Sequence, residues 1–421
     1  MIKKYVLIIV VAVLGFSCTK NDRLSLVNTL DKQRTDEAII IKRGELAKKV
    51  PLTEGMLPAF KSGDQFVPSQ VDDLDGDGRW DEVVLVTDFA ANETKALKVV
   101  FLPPSQYPKF PKRTNLRLGI LQPDGTYREV DSYEAPPCDN GFKIIAQAEG
   151  VSWENDKMCF RVYFDCRNVK DLFGKLKPEM VADKLGTPEM GDYHQLADWG
   201  MDILECGSSL GAGGLALLRD DSLYRLGSTK VYKYKKIVEG PLRSVFDLIY
   251  SGWDVNGQMM GATERITIFP GKYWFESEVT FDGCNTGDQI VTGIVTTRLK
   301  NKPFEFSVSG YKCIGTHGVQ SMNNDELGMA ILVPAKSAGK VGRTTDIDYY
   351  SLGYRTVVEK SFSNIISGTY YIGQDWEDGY PSKHYFFAVW GLENDRWKTE
   401  DGFKNYIIGE AEKFSDPIKI Q

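Results

Sequence analysis

Histidine is scarce in this chain, with only His194, His317 and His384 among 421 residues. Other absences narrow the field further. The seven cysteines form no Cys-x-x-Cys pair and no zinc-ligand spacing, which excludes the common structural zinc modules. Cys138, Cys159, Cys166, Cys206, Cys284 and Cys313 read as small buried hydrophobes, with disulfides still allowed in an exported chain. There is no surplus of basic residues: 51 Lys and Arg stand against 58 Asp and Glu, a net charge of −7 with the signs interspersed. That balance argues against nucleic acid as a partner. No repeat of 20–50 residues appears, which weakens a propeller or solenoid. The glycine-rich stretch Gly207-Ser-Ser-Leu-Gly-Ala-Gly-Gly214 lacks both the Walker and the dinucleotide spacing, so it reads as a tight backbone turn and not a phosphate cradle.

What is present begins at the N-terminus. Lys3 and Lys4 precede an apolar run from Tyr5 to Phe16, followed by Ser17 and Cys18. A basic start, a short apolar core and small residues describe a secretory signal, residues 1–18, too short to span a bilayer as a mature helix. Gly15-Phe16-Ser17 ahead of Cys18 reads as a lipobox, although Gly15 stands where leucine is usual. The expectation is a lipid on Cys18, a polar tether over 19–34, and a cell-envelope protein that meets the membrane only through that anchor, on the periplasmic or outer surface. No later segment is long and apolar enough to cross a membrane.

Apolar and polar residues then alternate with a period of two. Arg265-Ile-Thr-Ile-Phe269, Tyr273 to Phe281 and Gln289 to Thr297 are examples, separated by the turn pairs Asn256-Gly257, Pro270-Gly271 and Asp282-Gly283. The best helical stretch is Thr399 to Glu412. The fold expected is all-β: a small N-terminal β unit over 35–115 and a large antiparallel β-sandwich over 116–421. More strands than one flat sheet holds imply two stacked sheets. The strand-turn-strand pattern from Glu264 to Phe281 resembles the galactose-mutarotase-like supersandwich.

Asp73-Leu-Asp75-Gly-Asp77-Gly-Arg-Trp-Asp81-Glu82 places carboxylates at alternate positions around glycines, like the first part of a calcium loop. Val84 occupies the position of the terminal glutamate, and no helices flank it. It reads as a strand-loop-strand site for a structural Ca2+ through Asp73, Asp75, Asp77 and Asp81, against a plain Asp-Gly turn. No organic cofactor is expected.

Two stretches concentrate aromatic rings with charged and amide groups: Glu149 to Tyr163, and Tyr193 to Leu204. Buried charges and amides need partners, so such a mixture is costly for structure alone. Stacking rings and charged forks are also what a sugar site requires. His194 follows Tyr193 and precedes Asp198, Trp199 and Asp202. His384, in a strand with Tyr385, is either a second proton-transfer group or a core histidine. His317 lies in Gly315-Thr-His-Gly318, read as a turn, structural or exposed. Asn155, Lys157 and Arg161 are read as sharing one strand face with a carboxylate-binding role, with Trp153 and Glu154 beside them, against a solvated face over an aromatic core. Arg243 is read as projecting into the same cleft.

Glu149 to Arg167, Tyr193-His194, Asp198 to Leu204 and Gly207 to Gly213 resemble the bacterial domain-of-unknown-function family 4861, over nearly the whole mature chain. The resemblance implies an exported protein of Bacteroidetes polysaccharide utilisation, encoded beside enzymes that digest uronic-acid polysaccharides, and some relatives are associated with oligosaccharide dehydratase activity. On that footing the expected function is β-elimination on a uronic-acid oligosaccharide, as dehydratase or exo-lyase. Tyr193 and His194 would move protons, with His384 and Tyr385 behind them, and Arg161 with Asn155 or Lys157 would neutralise the substrate carboxylate. Trp153, Glu154, Trp199, Asp202 and Arg243 would contact substrate. One alternative is a glycoside hydrolase with paired acids drawn from Glu154, Asp198, Asp202 and Glu239. Another is a non-catalytic glycan binder stacking sugars on Trp153 and Trp199.

Overall fold

A computed structural model describes residues 22–136, 145–347 and 365–421; Cys18 and Cys138 lie outside them. The period-two alternation becomes strands as expected. Gln258–Ile268, Trp274–Asp282 and Gln289–Val295 are long antiparallel strands. Asn256 and Gly257, both at positive φ, make the tight connection between Ser244–Val255 and Gln258–Ile268.

The main body is a two-layer, all-β sandwich. One layer is a nine-stranded antiparallel sheet running from Ser132–Ala135 at one edge, through Val231–Glu239, Ser244–Val255, Gln258–Ile268, Trp274–Asp282, Ser382–Trp390, Glu326–Pro334 and Tyr311–Val319, to Phe304–Val308. The other layer is made of two five-stranded sheets. The first orders Gly200–Asp202, Lys170–Lys175, Met158–Tyr163, Gly150–Asn155 and Thr114–Arg117. The second orders Ser222–Arg225, Ala212–Arg219, Gln289–Val295, Thr369–Asp375 and Ala338–Arg343. A parallel bridge between Lys170 and Gly211 joins them. Gly211 sits at φ +61, and a Cβ there would lie 2.0 Å from the Lys170 carbonyl oxygen, so only glycine permits the junction. This explains the glycine-rich stretch as a joint between sheets.

The core lies between the layers. Trp153 and Phe160 of the first small sheet pack on Phe246 and Phe275 of the large sheet, with ring centroids 5.0–5.4 Å apart. The helix Glu400–Ser415 covers the opposite face of the large sheet; the Thr399 hydroxyl caps it by accepting from Gly402 N. Phe414 stacks on Tyr385 there at 4.0 Å.

A second, separate core holds the N-terminal unit, with Leu24, Ile41, Phe60, Val83, Leu85, Leu97 and Ile418 buried between a five-stranded and a three-stranded sheet. Its limits differ from the sequence reading at both ends. Arg23–Val27, inside the stretch read as tether, is a strand of this unit, and Lys419–Ile420 pairs with it from the far end of the chain. Thr114–Arg117 belongs to the sandwich. Arg23–Val27 does alternate, with Leu24 and Leu26 inward, but five residues are too short a run to stand out from a tether.

Candidate active site

The hairpin Gly150–Asn155 / Met158–Tyr163 sets the site. Asn155 Oδ1 accepts from Lys157 N and Met158 N at 2.8 and 3.0 Å, folding the chain back at Asp156. Asn155, Lys157 and Arg161 therefore do not share one strand face, as the sequence reading had it. The Asn155 amide donates to the carbonyls of Phe269 and Lys272, and Lys157 lies over the Tyr273 ring, 3.9 Å from Glu393. Neither joins Arg161.

Arg161 pairs in register with Ser152 and Asp171, so these three side chains occupy one row on the outer face of the small sheet, opposite Trp153 and Phe160. The segment from Leu176 to Trp199 folds over that face. Val181, Ala182, Leu185 and Trp199 cover Cys159 and Phe173 in a small apolar cluster of their own. Glu154 anchors the cover, accepting from the backbone N–H groups of Val181 and Ala182 at 2.9 and 2.7 Å, from Asn115, and from the buried Lys175 ammonium at 2.8 Å. Its carboxylate is fully committed.

Beneath the cover Arg161 is buried. Its Nη2 donates to Asp171 Oδ2 at 2.5 Å, Tyr163 Oη at 2.6 Å and Asp202 Oδ2 at 2.7 Å. Its Nη1 reaches Tyr193 Oη and the Ala148 carbonyl, each at 3.3 Å. The guanidinium lies 4.3, 4.8 and 5.5 Å from the ring centroids of Tyr163, Phe173 and Tyr193. Two carboxyl groups already accept from it, so Arg161 is no open fork for a substrate carboxylate. It is a post on which Tyr193 hangs. Beside it Ala148 and Glu149 both hold positive φ, +48° and +63°, a strained pair of the kind that clusters at functional sites.

Tyr193 and His194 sit where this buried charge meets solvent. Their rings are 4.4 Å apart, and His194 is about half exposed. Asp192 Oδ1 lies 3.0 Å from His194 Nδ1 and also accepts the His194 backbone N–H. A proton held on Nδ1 by that contact leaves Nε2 as the free acceptor. Nε2 lies 3.9 Å from Asp202 Oδ2. Burial, reinforced by the neighbouring Asp171, pushes the Asp202 carboxyl well above the usual carboxylate range. Burial likewise raises the Tyr193 phenol, against the opposing pull of the Arg161 charge.

Of the residues expected at the site, the structure brings together Arg161, Tyr193, His194 and Asp202, with Trp199 in the cover beside them. It adds Tyr163 and Asp171, which sequence reasoning passed over. Tyr163 stands two residues from Arg161 on the same strand face, a signal available in principle; Asp171 is recognisable only from register. The others lie elsewhere. Trp153 is fully buried in the core and offers no stacking surface. Arg243 bonds Asp72 Oδ2 at 2.7 Å and Glu82 Oε2 at 2.8 Å, fastening the N-terminal unit to the sandwich. Tyr385 stacks under the helix on the far face of the large sheet. His384 faces the sandwich interior with no exposed surface and neither ring nitrogen hydrogen-bonded, and burial lowers its pKa to about 3. His317 is in a strand, with Nε2 2.8 Å from the Trp397 carbonyl.

The aspartate loop connects Ser69–Asp72 with Glu82–Phe89. Carboxylate oxygens of Asp73, Asp75 and Asp81 come within 4.8 Å of one another. Asp77 is outside that trio and accepts from Arg79 N. Backbone N–H groups of Gly78 and Gly76 hold the Asp73 carboxyl below its usual range. Three convergent carboxylates are a donor set suited to a hard cation such as Ca2+. Among the remaining cysteines, Cys159, Cys206, Cys284 and Cys313 are free, the first, second and fourth of them buried, while Cys166 is disulfide-bonded. No helix of the described residues is long and apolar enough to cross a membrane.

The uncharacterized protein P7 of Formosa agariphila is 24% identical over 451 residues, covering 98% of this chain and 97% of that protein. Among solved structures, an alpha-mannosidase from Enterococcus faecalis V583 superposes with a TM-score of 0.48 at 8% identity, over 95% of this chain. This chain spans only 45% of that enzyme's length. A putative aldose 1-epimerase from Klebsiella pneumoniae gives a TM-score of 0.31 at 8% identity, over 73% of this chain and 97% of its own. Neither likeness brings an activity to this chain. Residues 26–420, essentially everything from the first strand to the last, match one family, and the chain belongs to it: the domain of unknown function DUF4861.

Proposed function

We propose that this protein is an exported carbohydrate-active enzyme that performs β-elimination on a uronic-acid oligosaccharide, as a dehydratase or exo-lyase, with Tyr193 and His194 as its proton-transfer pair. The observation that carries this reading is the pairing itself. A phenol hung on a buried arginine stands against a half-exposed imidazole whose Nδ1 is held by Asp192.

In this scheme His194 Nε2 removes the C5 proton of the uronate. The C5 electron pair becomes the C4=C5 double bond as the C4–O bond breaks, and Tyr193 gives its phenolic proton to the departing oxygen. That oxygen leaves as water in a dehydratase or as a sugar hydroxyl in an exo-lyase. The raised pKa of Tyr193 suits the donor's role, because the phenol holds its proton at neutral pH. The Arg161 cation 3.3 Å away then stabilises the phenolate left behind. Arg161 is thus a positioning residue. The protein would carry lipid on Cys18, and a structural Ca2+ in the aspartate loop; mass spectrometry of the native N-terminus, with a free Cys18 as the rejecting result, checks the first.

The hydrolase alternative needs two acids facing one cleft. Glu154 is sealed against Lys175, Asp198 pairs with Lys177 on the surface, and Glu239 pairs with Lys112 and Lys236. For a binder, buried Trp153 and nearly buried Trp199 leave no platform. The deciding experiment incubates the protein with a panel of uronate oligosaccharides and follows ultraviolet absorbance and product mass. A new conjugated uronate supports the proposal, with loss of one water marking a dehydratase. Chain cleavage with water added and no absorbance would overturn it.

A further inference from the structure

Away from that site, where residues 30–35 and the turn at Gly271–Lys272 meet the helix Glu400–Ser415, the surface closes on a cavity of about 260 Å³. Five cations line it: Lys32, Arg34, Lys272, Arg396 and Lys413. Three carboxylates answer three of them. Lys32 pairs with Glu412, Arg34 with Glu37, and Lys413 with Glu410, at 2.5, 2.8 and 2.6 Å. Lys272 shares Glu37 and Glu410 with Arg34 and Lys413, so among the described residues five cations meet three carboxylates and two positive charges stay in excess.

Lys272 is the more telling. It is only 3% exposed, yet its ammonium lies 3.7 Å from Glu410 and 3.8 Å from Glu37, beyond hydrogen-bonding distance of either. Its single hydrogen bond is a long one, 3.3 Å to the Thr35 carbonyl. An ammonium has three donors to place, and leaving them unfilled in a buried position is costly. Glu410 is held at that distance by Lys413 on one oxygen and by the Trp274 indole N–H, at 2.9 Å, on the other. Arg396 supplies the charge that has no carboxylate partner among the described residues. Its guanidinium rests over the rings of Trp397 and Tyr406, 4.9 and 5.8 Å from their centroids, with no carboxylate of the described residues in contact. A fork stacked flat on aromatic rings presents its N–H edge to whatever lies beside it.

We infer that this cavity is an oxyanion-binding site, shaped for one carboxylate or sulfate group, free or carried on a single sugar ring, held between Lys272 and Arg396. The volume falls just below the roughly 300–1,000 Å³ of pockets for drug-sized ligands, which limits the occupant to one ring or a small anion. The site does not depend on the roles given to Tyr193 and His194.

Calorimetric titration of the full chain at low ionic strength, with sodium sulfate, sodium glucuronate and glucose in separate runs, tests it. Sulfate or glucuronate should bind and glucose should not. Binding of sulfate alone identifies a free oxyanion as the occupant, and binding of glucuronate identifies a sugar carboxylate. Arg396→Gln, an exposed substitution with little consequence for folding, should weaken binding about ten- to a hundredfold, the usual scale for a charged hydrogen bond. Arg396→Lys should restore part of it. His194→Ala should bind as the unmodified protein does. No binding of either anion, or equal binding by Arg396→Gln, overturns the inference.

Discussion

Two charged constellations occupy the sandwich, and they differ in one respect that matters. On the outer face of the small sheet, Arg161, Asp171, Asp202 and Tyr163 form a buried network that ends at the surface in Tyr193 and His194. Inside the sandwich, the Lys170 ammonium bonds Glu264 at 2.7 Å and the Gly213 carbonyl at 2.8 Å, the Ser277 hydroxyl donates to the same Glu264 oxygen at 2.6 Å, and His384 stands alongside. By residue type the interior group is as suggestive of catalysis as the outer one. Every member of it, however, is at most 1% exposed. Burial lowers the pKa of Lys170 and of His384 alike. Perturbed titration marks both places; only one of them has a titratable group that solvent reaches. Access, and not the mere presence of shifted groups, separates a candidate site from a buried ion pair.

The largest expected effect tests the outer network. His194→Ala should cost about 10²–10⁴-fold in turnover, the usual contribution of a positioned proton-transfer group, and Tyr193→Phe should cost a similar amount. The melting temperature should stay near that of the unmodified protein for His194→Ala, since the imidazole is half exposed. Normal turnover by His194→Ala would remove the outer face from consideration.

Next in size is the cover over Arg161. Glu154→Gln leaves the buried Lys175 ammonium without its counter-charge and weakens the hold on Val181 and Ala182. Breaking a buried pair in this way costs about 3–5 kcal/mol. Chemical denaturation should show that loss, while turnover below the melting temperature persists in part. Undiminished stability would mean that Glu154 does not anchor the cover. A smaller effect belongs to the aspartate loop. If it holds calcium, the ion at a hundred times its dissociation constant should add about 2.7 kcal/mol to stability, and Asp73→Asn should abolish the gain. A melt indifferent to calcium and to chelator would return the loop to an ordinary turn.

The sandwich was legible because its strands alternate at period two with turn pairs between them, and the helix because Thr399 precedes a helical run. The site was half legible. Tyr193, His194 and Asp202 lie close in sequence, and aromatic-charged density drew attention to them. Arg161 was found for a reason that fails, a strand face shared with Asn155 and Lys157, because an Asn-Asp-Lys turn folds the strand back in the middle of the motif. Asp171 was not found at all, since its place opposite Arg161 depends on inter-strand register. Trp153 and His384 show the converse: a residue type associated with sugar binding or proton transfer, set on the inward face of a strand, becomes core.

The smallest expected effect bears most directly on the contrast between the two constellations. His384 makes no hydrogen bond through either nitrogen, so replacing it with leucine removes a desolvated polar ring and breaks no contact. His384→Leu should therefore be as stable as the unmodified protein at pH 7, or more so. Acid separates the two further. With a folded pKa of about 3 and an unfolded value near 6.5, the unfolded chain takes up the proton first as pH falls. The native state thus holds its full margin above pH 6.5 and loses it progressively between about 6.5 and 3, by roughly 2 kcal/mol between pH 7 and pH 5 from this group. Denaturation curves at the two pH values should show that loss in the unmodified protein and not in His384→Leu. Turnover should be unchanged by the substitution. A His384→Leu protein that folds normally but does not turn over would reverse the comparison and make the interior group, opened by some motion of the sandwich, the reacting centre.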